Sequence, residues 1–216
     1  MTLYLDFTVW QKTRCPDFNP RTVGHIPKLQ SGSMLEVGYW PGRVDAYFDL
    51  YVAGVWNTSR TARLLLISLI LKLSNILNDN RDHTREHKNA LHLAEDIVAS
   101  IPYHITEDLH IFFRKRGEKE EGINPGRPVG GLLLMHPLYV ASTLPIVPPK
   151  MREYMRKSLA WIGTNMGIGQ ASVFAKVRSL EEFKVILTAN KLQPPQQIDK
   201  QYFTDGSLIV WAGMLI

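Results

Sequence analysis

The stretch that decides the fold is VDAYFDLYVAGVWNTSRTARLLLISLILKLSNIL, residues 44–77. Apolar residues recur through it at steps of three and four, which is the spacing of one face of an α-helix. A single helix over the whole stretch would be about 50 Å long at 1.5 Å per residue. We therefore expect one long central helix, against which the rest of the chain packs.

The residues after this stretch predict further helices, separated by proline, glycine and polar segments. Asp82 is a suitable N-cap for a helix that reaches about Ser100, because Pro102 disfavours its continuation. Pro137 should start or kink a helix within GGLLLMHPLYVAS, residues 130–142. The same spacing predicts helices over 149–166, 170–177 and 179–192.

Three segments lack this helical pattern. RKRGEKEEGINPGRP, residues 114–128, mixes charges with glycine and proline and predicts a loop. Residues 1–42 predict an N-terminal wrap of short helices or turns, and residues 193–216 predict a short hairpin or an extended arm. The predicted fold class is therefore all-α, a single domain over residues 1–216 whose helical body spans 43–192 and is built on one long central helix.

Composition narrows the class of protein. Hydrophobic residues make up 45% of the chain and charged residues 21%, which is typical of a globular domain. The formal net charge of +5 comes from residues spread along the chain, so it is weak support for nucleic-acid binding. Cys15 is the single cysteine, and the most apolar run, Leu64 to Leu71, is too short to span a bilayer. These features predict a nuclear or cytoplasmic protein without a membrane segment.

Four blocks in the chain resemble the C-terminal regulatory region of fungal zinc-cluster transcription factors. The first, AYFDLYVAGVWNTSRTARLLLISLIL, carries an aspartate, a Trp-Asn pair and two arginines three residues apart. The other blocks are ASIPYHI, GGLLLMHPLYVAS and LAWIGTNMGIGQAS, at residues 99–105, 130–142 and 159–172. Because the blocks occur in the right order across about 130 residues, together they are more specific than any one of them. The resemblance implies an all-helical regulatory domain and no single activity.

The cysteine count separates this sequence from those regulators. Their DNA-binding module uses six cysteine thiolates to hold two zinc ions, whereas these 216 residues contain Cys15 alone. The sequence therefore predicts no direct DNA binding of the zinc-cluster type.

Charged and aromatic side chains share one face of the predicted central helix. Asp49, Trp56, Arg60, Arg63 and Ile67 are separated by seven, four, three and four residues, which places them along one stripe. A buried guanidinium group needs hydrogen-bonded partners, because an uncompensated buried charge is strongly destabilising. The arginines therefore either brace neighbouring helices or line a pocket for an anionic or polar ligand. The predicted ligand-binding residues are Trp56, Arg60, Arg63, Tyr103 and Tyr139.

Histidines suggest an alternative, an enzyme. His104 and His136 each lie close to a proline and an aromatic residue in two of the four blocks, and imidazole suits acid–base chemistry near neutral pH. If the chain is an enzyme, we expect His104, His136 and Asp49 to be catalytic; otherwise each histidine is a core residue bonded to a backbone carbonyl. HTREH, residues 83–87, has the order of a zinc-protease motif, but its surroundings are polar and lack a third ligand. We predict no metal and no cofactor.

Two functions follow from these observations. The first is a stand-alone regulatory domain that binds a protein partner or a small hydrophobic or anionic effector, in control of secondary metabolism. The alternative is a cofactor-independent cyclase, isomerase or dehydratase that acts on a hydrophobic natural-product intermediate. A homodimer is one of the assemblies that the sequence allows.

Overall fold

The computed structural model describes residues 6, 9–10, 13, 15–28, 36–79, 81–118 and 123–177. The predicted helix over 179–192 and the predicted C-terminal arm lie outside the described residues. None of the helices in this part of the chain combines the length and the hydropathy that crossing a bilayer requires.

The described elements are mostly helical. A short 3-10 helix, Pro16–Phe18, precedes a two-stranded sheet and a series of α-helices. In chain order these are β1 (Arg21–Ile26), β2 (Gly42–Ala46), α1 (Leu50–Ile76), α2 (Thr84–Ile105), α3 (Leu109–Glu118), α4 (Pro128–Thr143), α5 (Pro149–Asn165) and α6 (Gly169–Lys176).

The long central helix is confirmed, but it begins later than the sequence predicts. Val44 belongs to β2 and pairs with Gly24 of β1, so the helical prediction is wrong at its N-terminal end. Asp49 starts α1, because its Oδ1 accepts a hydrogen bond from the backbone N–H of Val52 at 2.7 Å. The 27 residues of α1 span about 40 Å.

The antiparallel sheet β1–β2 is the main departure from the all-α prediction. Its register runs from Arg21 opposite Ala46 to Ile26 opposite Gly42, with an irregularity between Thr22 and Gly24. These strands have few apolar residues and their burial does not alternate, since β2 buries both Val44 and the adjacent Asp45; Ile26 and Val44 lie on the same face of the sheet. That face packs in a cluster of Ile26, Val44 and Phe112.

Helix α2 continues past the proline that was expected to end it. Pro102 lies inside α2, which ends at Ile105 and not near Ser100. A proline in a helix removes one hydrogen bond and costs roughly 3 kcal/mol. The last turn nevertheless remains helical because it buries Ile101, His104 and Ile105 almost completely.

Helix α3 occupies the start of the segment that was predicted to be a loop. Asp108 caps it, since Oδ1 accepts hydrogen bonds from the backbone N–H groups of His110 at 2.6 Å and Ile111 at 3.3 Å. Phe112 is buried against the sheet and holds this helix in place. Residues 114–118, four of which are charged, extend α3, so the loop prediction is wrong for them.

Helices α1, α2 and α4 pack on one another, and α5 packs on α4 and α6. Pro128 occupies the first position of α4, where its missing N–H is not needed, so this helix starts before Gly130 and carries Pro137 in its interior. Gly167 lies between α5 and α6 with a φ of 74°, the left-handed conformation that glycine favours.

Candidate functional site

Arg60 is the most deeply buried cation among the described residues. It is 1% exposed, and its Nη1 donates hydrogen bonds to Tyr47 Oη at 2.7 Å and to Asn57 Oδ1 at 2.8 Å. Its Nε lies 3.6 Å from Asp96 Oδ2. The guanidinium carbon also lies 5.2 Å from the ring centre of Trp56, within the range of a cation–π contact. These groups compensate the charge that α1 brings into the interior.

A network of charged side chains extends from Arg60 to the sheet. Arg43 on β2 bridges two carboxylates, because its Nη2 pairs with Asp96 Oδ1 and its Nε donates to Asp45 Oδ2 at 3.0 Å. The hydroxyl of Thr22 on β1 donates to Asp45 Oδ1 at 2.8 Å. Partial burial opposes the charge on Arg43, but the two carboxylates outweigh this and raise the pKa of its guanidinium group. The network therefore ties α1, α2 and the sheet together.

An open cleft of about 500 Å³ lies over this network. We name it the Arg43 cleft, and its lining residues are Pro20, Thr22, Arg43, Asp45, Trp56, Arg60 and Asp96. Two guanidinium groups and two carboxylates balance its formal charge. The side chains of Arg43 and Asp96 are 40% and 30% exposed, whereas that of Asp45 is 3% exposed. A ligand in the cleft would therefore meet Arg43 and Asp96 first.

A buried polar chain leads from Arg60 to helix α4. Asn57 Nδ2 lies 2.9 Å from Ser100 Oγ and 3.1 Å from His104 Nε2, and His104 Nδ1 lies 3.1 Å from the carbonyl oxygen of Gly130. Because Asn57 Oδ1 already accepts from Arg60, its amide nitrogen faces the imidazole as a donor. His104 therefore accepts at Nε2 and carries its proton at Nδ1.

His104 is electrically neutral in this setting. Burial lowers the pKa of its imidazole from 6.5 to about 4; the hydrogen bond to the Gly130 carbonyl partly opposes this, and the positive charge of Arg60 adds a smaller lowering effect. Both ring nitrogens are occupied by the contacts above. The geometry matches the core-histidine alternative, in which the imidazole joins α1, α2 and α4.

Trp56 and Tyr103 donate hydrogen bonds to backbone carbonyls of residues that precede α1. Trp56 Nε1 donates to the carbonyl oxygen of Phe18 at 2.8 Å, and its ring meets Trp10 edge-on at 5.7 Å between centroids. Tyr103 Oη donates to the carbonyl oxygen of Tyr47 at 3.0 Å. Burial raises the pKa of the Tyr103 phenol, as does the negative charge of Asp49. Tyr103 thus lies beside the network without lining the Arg43 cleft.

The other predicted site residues lie elsewhere. Asp49 caps α1, and Arg63 is half-buried on the same helix. Tyr139 on α4 stacks on Phe174 of α6 with centroids 4.5 Å apart. His136, also on α4, is half-buried, and burial lowers the pKa of its imidazole. None of these four residues lines the Arg43 cleft.

The H-x-x-E-H segment forms local contacts. His83 Nε2 lies 2.6 Å from Ser74 Oγ near the end of α1, and His83 Nδ1 lies 3.8 Å from Glu86. In the described ranges, no three side chains of His, Cys, Asp or Glu are placed to hold a metal ion.

Sequence reasoning missed the residues that complete the cleft, namely Thr22, Arg43, Asp45 and Asp96. Two of them carry a recognisable signal, since Asp45 stands between Val44 and Ala46, and Asp96 is followed by an apolar pair. A carboxylate among apolar residues often has a buried cationic partner. The pairing itself depends on the packing of strand β2 against α2, which the sequence analysis does not predict.

The chain is transcription-factor-like, as comparison with known proteins shows. Over 211 residues it is 50% identical to the protein named Transcription factor dbaG from Emericella nidulans, a match that covers 98% of this chain and 46% of that protein. The chain therefore spans less than half the length of this curated relative. No family model matches the chain, and no solved structure matches it. The resemblance to a fungal transcription factor is confirmed, and the finer resemblance to the C-terminal regulatory region of zinc-cluster factors stays a prediction.

Proposed function

We propose that the chain is a regulatory domain of the transcription-factor type that acts by binding a small polar effector in the Arg43 cleft. The observation that carries this proposal is the arrangement of charges there. Arg60 and Asp45 are fixed and buried, while Arg43 and Asp96 are partly exposed above them. An effector can pair with these exposed charges without disturbing the buried ones.

The chemistry of the cleft limits the effector. A carboxylate or phenolate can form a charge-assisted pair with the exposed part of Arg43, and a hydroxyl can donate to Asp96. Trp56 and Pro20 add apolar surface to the lining. We therefore propose an aromatic or aliphatic acid that also carries hydroxyl groups. Such a molecule fits the wider role that we propose, control of secondary metabolism by a nuclear or cytoplasmic regulator.

The cysteine content supports a role without direct DNA reading by these residues. With Cys15 alone, the 216 residues cannot assemble the six-thiolate zinc cluster. Similarity to a transcription factor over nearly the whole chain supports a role in regulation. We propose that the domain transmits the presence of an effector and leaves DNA contact to other protein segments.

The enzyme alternative has no comparable support. Neither the Arg43 cleft nor the small cavity beside α3, about 20 Å³ in volume, is lined by His104, His136 or Asp49. It stays a prediction.

Thermal unfolding in the presence of hydroxylated carboxylic acids and their methyl esters tests the proposal. A bound acid at about a hundredfold its Kd should raise Tm by roughly 5 °C or more. The substitution Arg43→Gln should abolish the increase, because it removes the exposed cation. Arg85→Gln is the matched control, since Arg85 is exposed on α2 and does not line the cleft. Equal stabilisation of both variants, or no stabilisation of the wild type by any compound, would contradict the proposal.

A further inference from the structure

Helix α1 is apolar on the face that points away from the core. Its inner face buries Ala53, Trp56, Leu64 and Ile67 against neighbouring helices. Its outer face exposes large apolar side chains, which we name the outer stripe. The outer stripe consists of Tyr51, Val55, Leu69, Ile70, Leu73 and Ile76, each between 42% and 68% exposed.

The exposed apolar side chains of the outer stripe lie towards the two ends of α1, on one face of the helix. From Tyr51 to Leu69 the positions of this face differ by three or four residues, and they include the polar Thr58 and the half-buried Ala62 and Leu66. Among the charged residues of α1, Arg60 is buried and Arg63 is half-buried, whereas the exposed Lys72 borders the stripe, three residues after Leu69 and four before Ile76.

A solvent-exposed face of a helix normally carries charged and polar side chains, and a helix that is apolar on all sides is normally buried. The exposed apolar area of the outer stripe is roughly 500 Å², at the upper end of what a monomer usually shows in one patch. Such a face is typical of an interface with another protein surface.

We propose that a second copy of this chain covers the outer stripe, so that two α1 helices pair in a homodimer. A two-fold axis brings the same stripe from both copies together, and a spacing of three and four residues is the spacing that helix pairs use. The stripe itself contains no charged residue, and the exposed Lys72 lies at its border, where its long side chain can keep the ammonium group in water.

The area agrees with a dimer of moderate stability. Two stripes would bury about 1,000 Å² in total, which is the lower limit for a specific interface. This inference goes beyond the proposed function, since it concerns the outer face of α1 and not the Arg43 cleft. Effector binding and dimerisation can therefore fail independently.

Light scattering coupled to size-exclusion chromatography of the full 216-residue chain tests the dimer. We expect a mass twice that of the 24.6 kDa chain. Leu73→Glu and Leu69→Glu should each raise the Kd of the dimer by roughly a hundredfold or more, because every dimer would bury two unpaired carboxylates. Circular dichroism checks that both variants fold.

Leu132→Glu is the matched control, because Leu132 on α4 is 49% exposed and Leu73 is 47% exposed. It should leave the dimer intact, as should Arg43→Gln in the cleft. A wild-type chain that is monomeric across the micromolar range would overturn the proposal, whatever else covers the stripe. Dimers that persist in both stripe variants, or that dissociate equally in Leu132→Glu, would overturn it as well.

Discussion

Arg60 keeps its charge in the interior because several kinds of partner surround its guanidinium group. A phenol, an amide oxygen, a carboxylate and an aromatic face each compensate part of the desolvation. Asn57 then passes the hydrogen bonding on to His104, whose other nitrogen reaches the backbone of α4. Through these contacts Arg60, Asn57 and His104 connect α1, α2 and α4.

The buried imidazole of His104 predicts a specific pH dependence of stability. Its pKa is about 4 in the folded chain and about 6.5 when unfolded, so between these values only the unfolded state binds the proton. The free energy of unfolding should therefore fall as pH is lowered from 6.5 to about 4, by about 3 kcal/mol in total, with no further effect of this group below that. The difference in the free energy of unfolding between pH 7 and pH 5, measured by urea denaturation, tests this fall.

A pair of variants isolates the contribution of this imidazole. His104→Gln should lose the contribution of His104 to the pH dependence, whatever its effect at pH 7, and should keep the contribution of His136, whose pKa is also lowered by burial. His87→Gln, at an exposed position of α2, should retain the contribution of His104. Parallel pH profiles for His104→Gln and the wild type would show that the buried histidine does not titrate as described.

The sequence predicts which side chains lie close together when they share a helix. It does not predict the contacts between side chains on different elements. The stripe of Asp49, Trp56 and Arg60 follows from the helical period alone. The partners of Arg60 on other elements, Tyr47 after β2 and Asp96 on α2, do not, because they depend on the packing of β2 against α2.

At the scale of elements, α2 and α4 approach so closely that a glycine is required between them. A Cβ atom on Gly130 would lie 2.1 Å from the backbone oxygen of His104. Backbone cannot yield as a flexible side chain can, so the helices would have to separate.

Gly130→Ala should therefore lower the free energy of unfolding by about 2 kcal/mol, measured by urea denaturation at pH 7. Gly169→Ala is the control, since a Cβ there would meet nothing within 4 Å at the start of α6. That variant should be neutral or slightly more stable. If both substitutions have the same effect, the close approach of α2 and α4 is not what Gly130 provides.

Helices are largely predictable from this sequence because their apolar periods are long, whereas strands of five and six residues give little pattern to detect. Pro102 is the other source of error. It remains inside α2 because packing of its neighbours outweighs the lost hydrogen bond. Local propensity and tertiary packing favour different structures at this position, and the packing determines the structure.

At the scale of the whole molecule, α1 separates two surfaces with different chemistry. One is the Arg43 cleft, where opposite charges balance beside Trp56. The other is the outer stripe, which is apolar and free of charged residues. We propose that the first binds an effector and that the second contacts another copy of the chain.

The central claim is that an effector binds above the buried arginine. NMR of side-chain N–H groups, recorded while a stabilising acid is titrated into the protein, tests it most directly. We predict that the Arg43 Nε–H and Trp56 Nε1–H signals shift together and saturate at the Kd obtained from thermal unfolding, while Arg85 is unchanged. Saturation accompanied by shifts only at residues outside the Arg43 cleft would contradict the account.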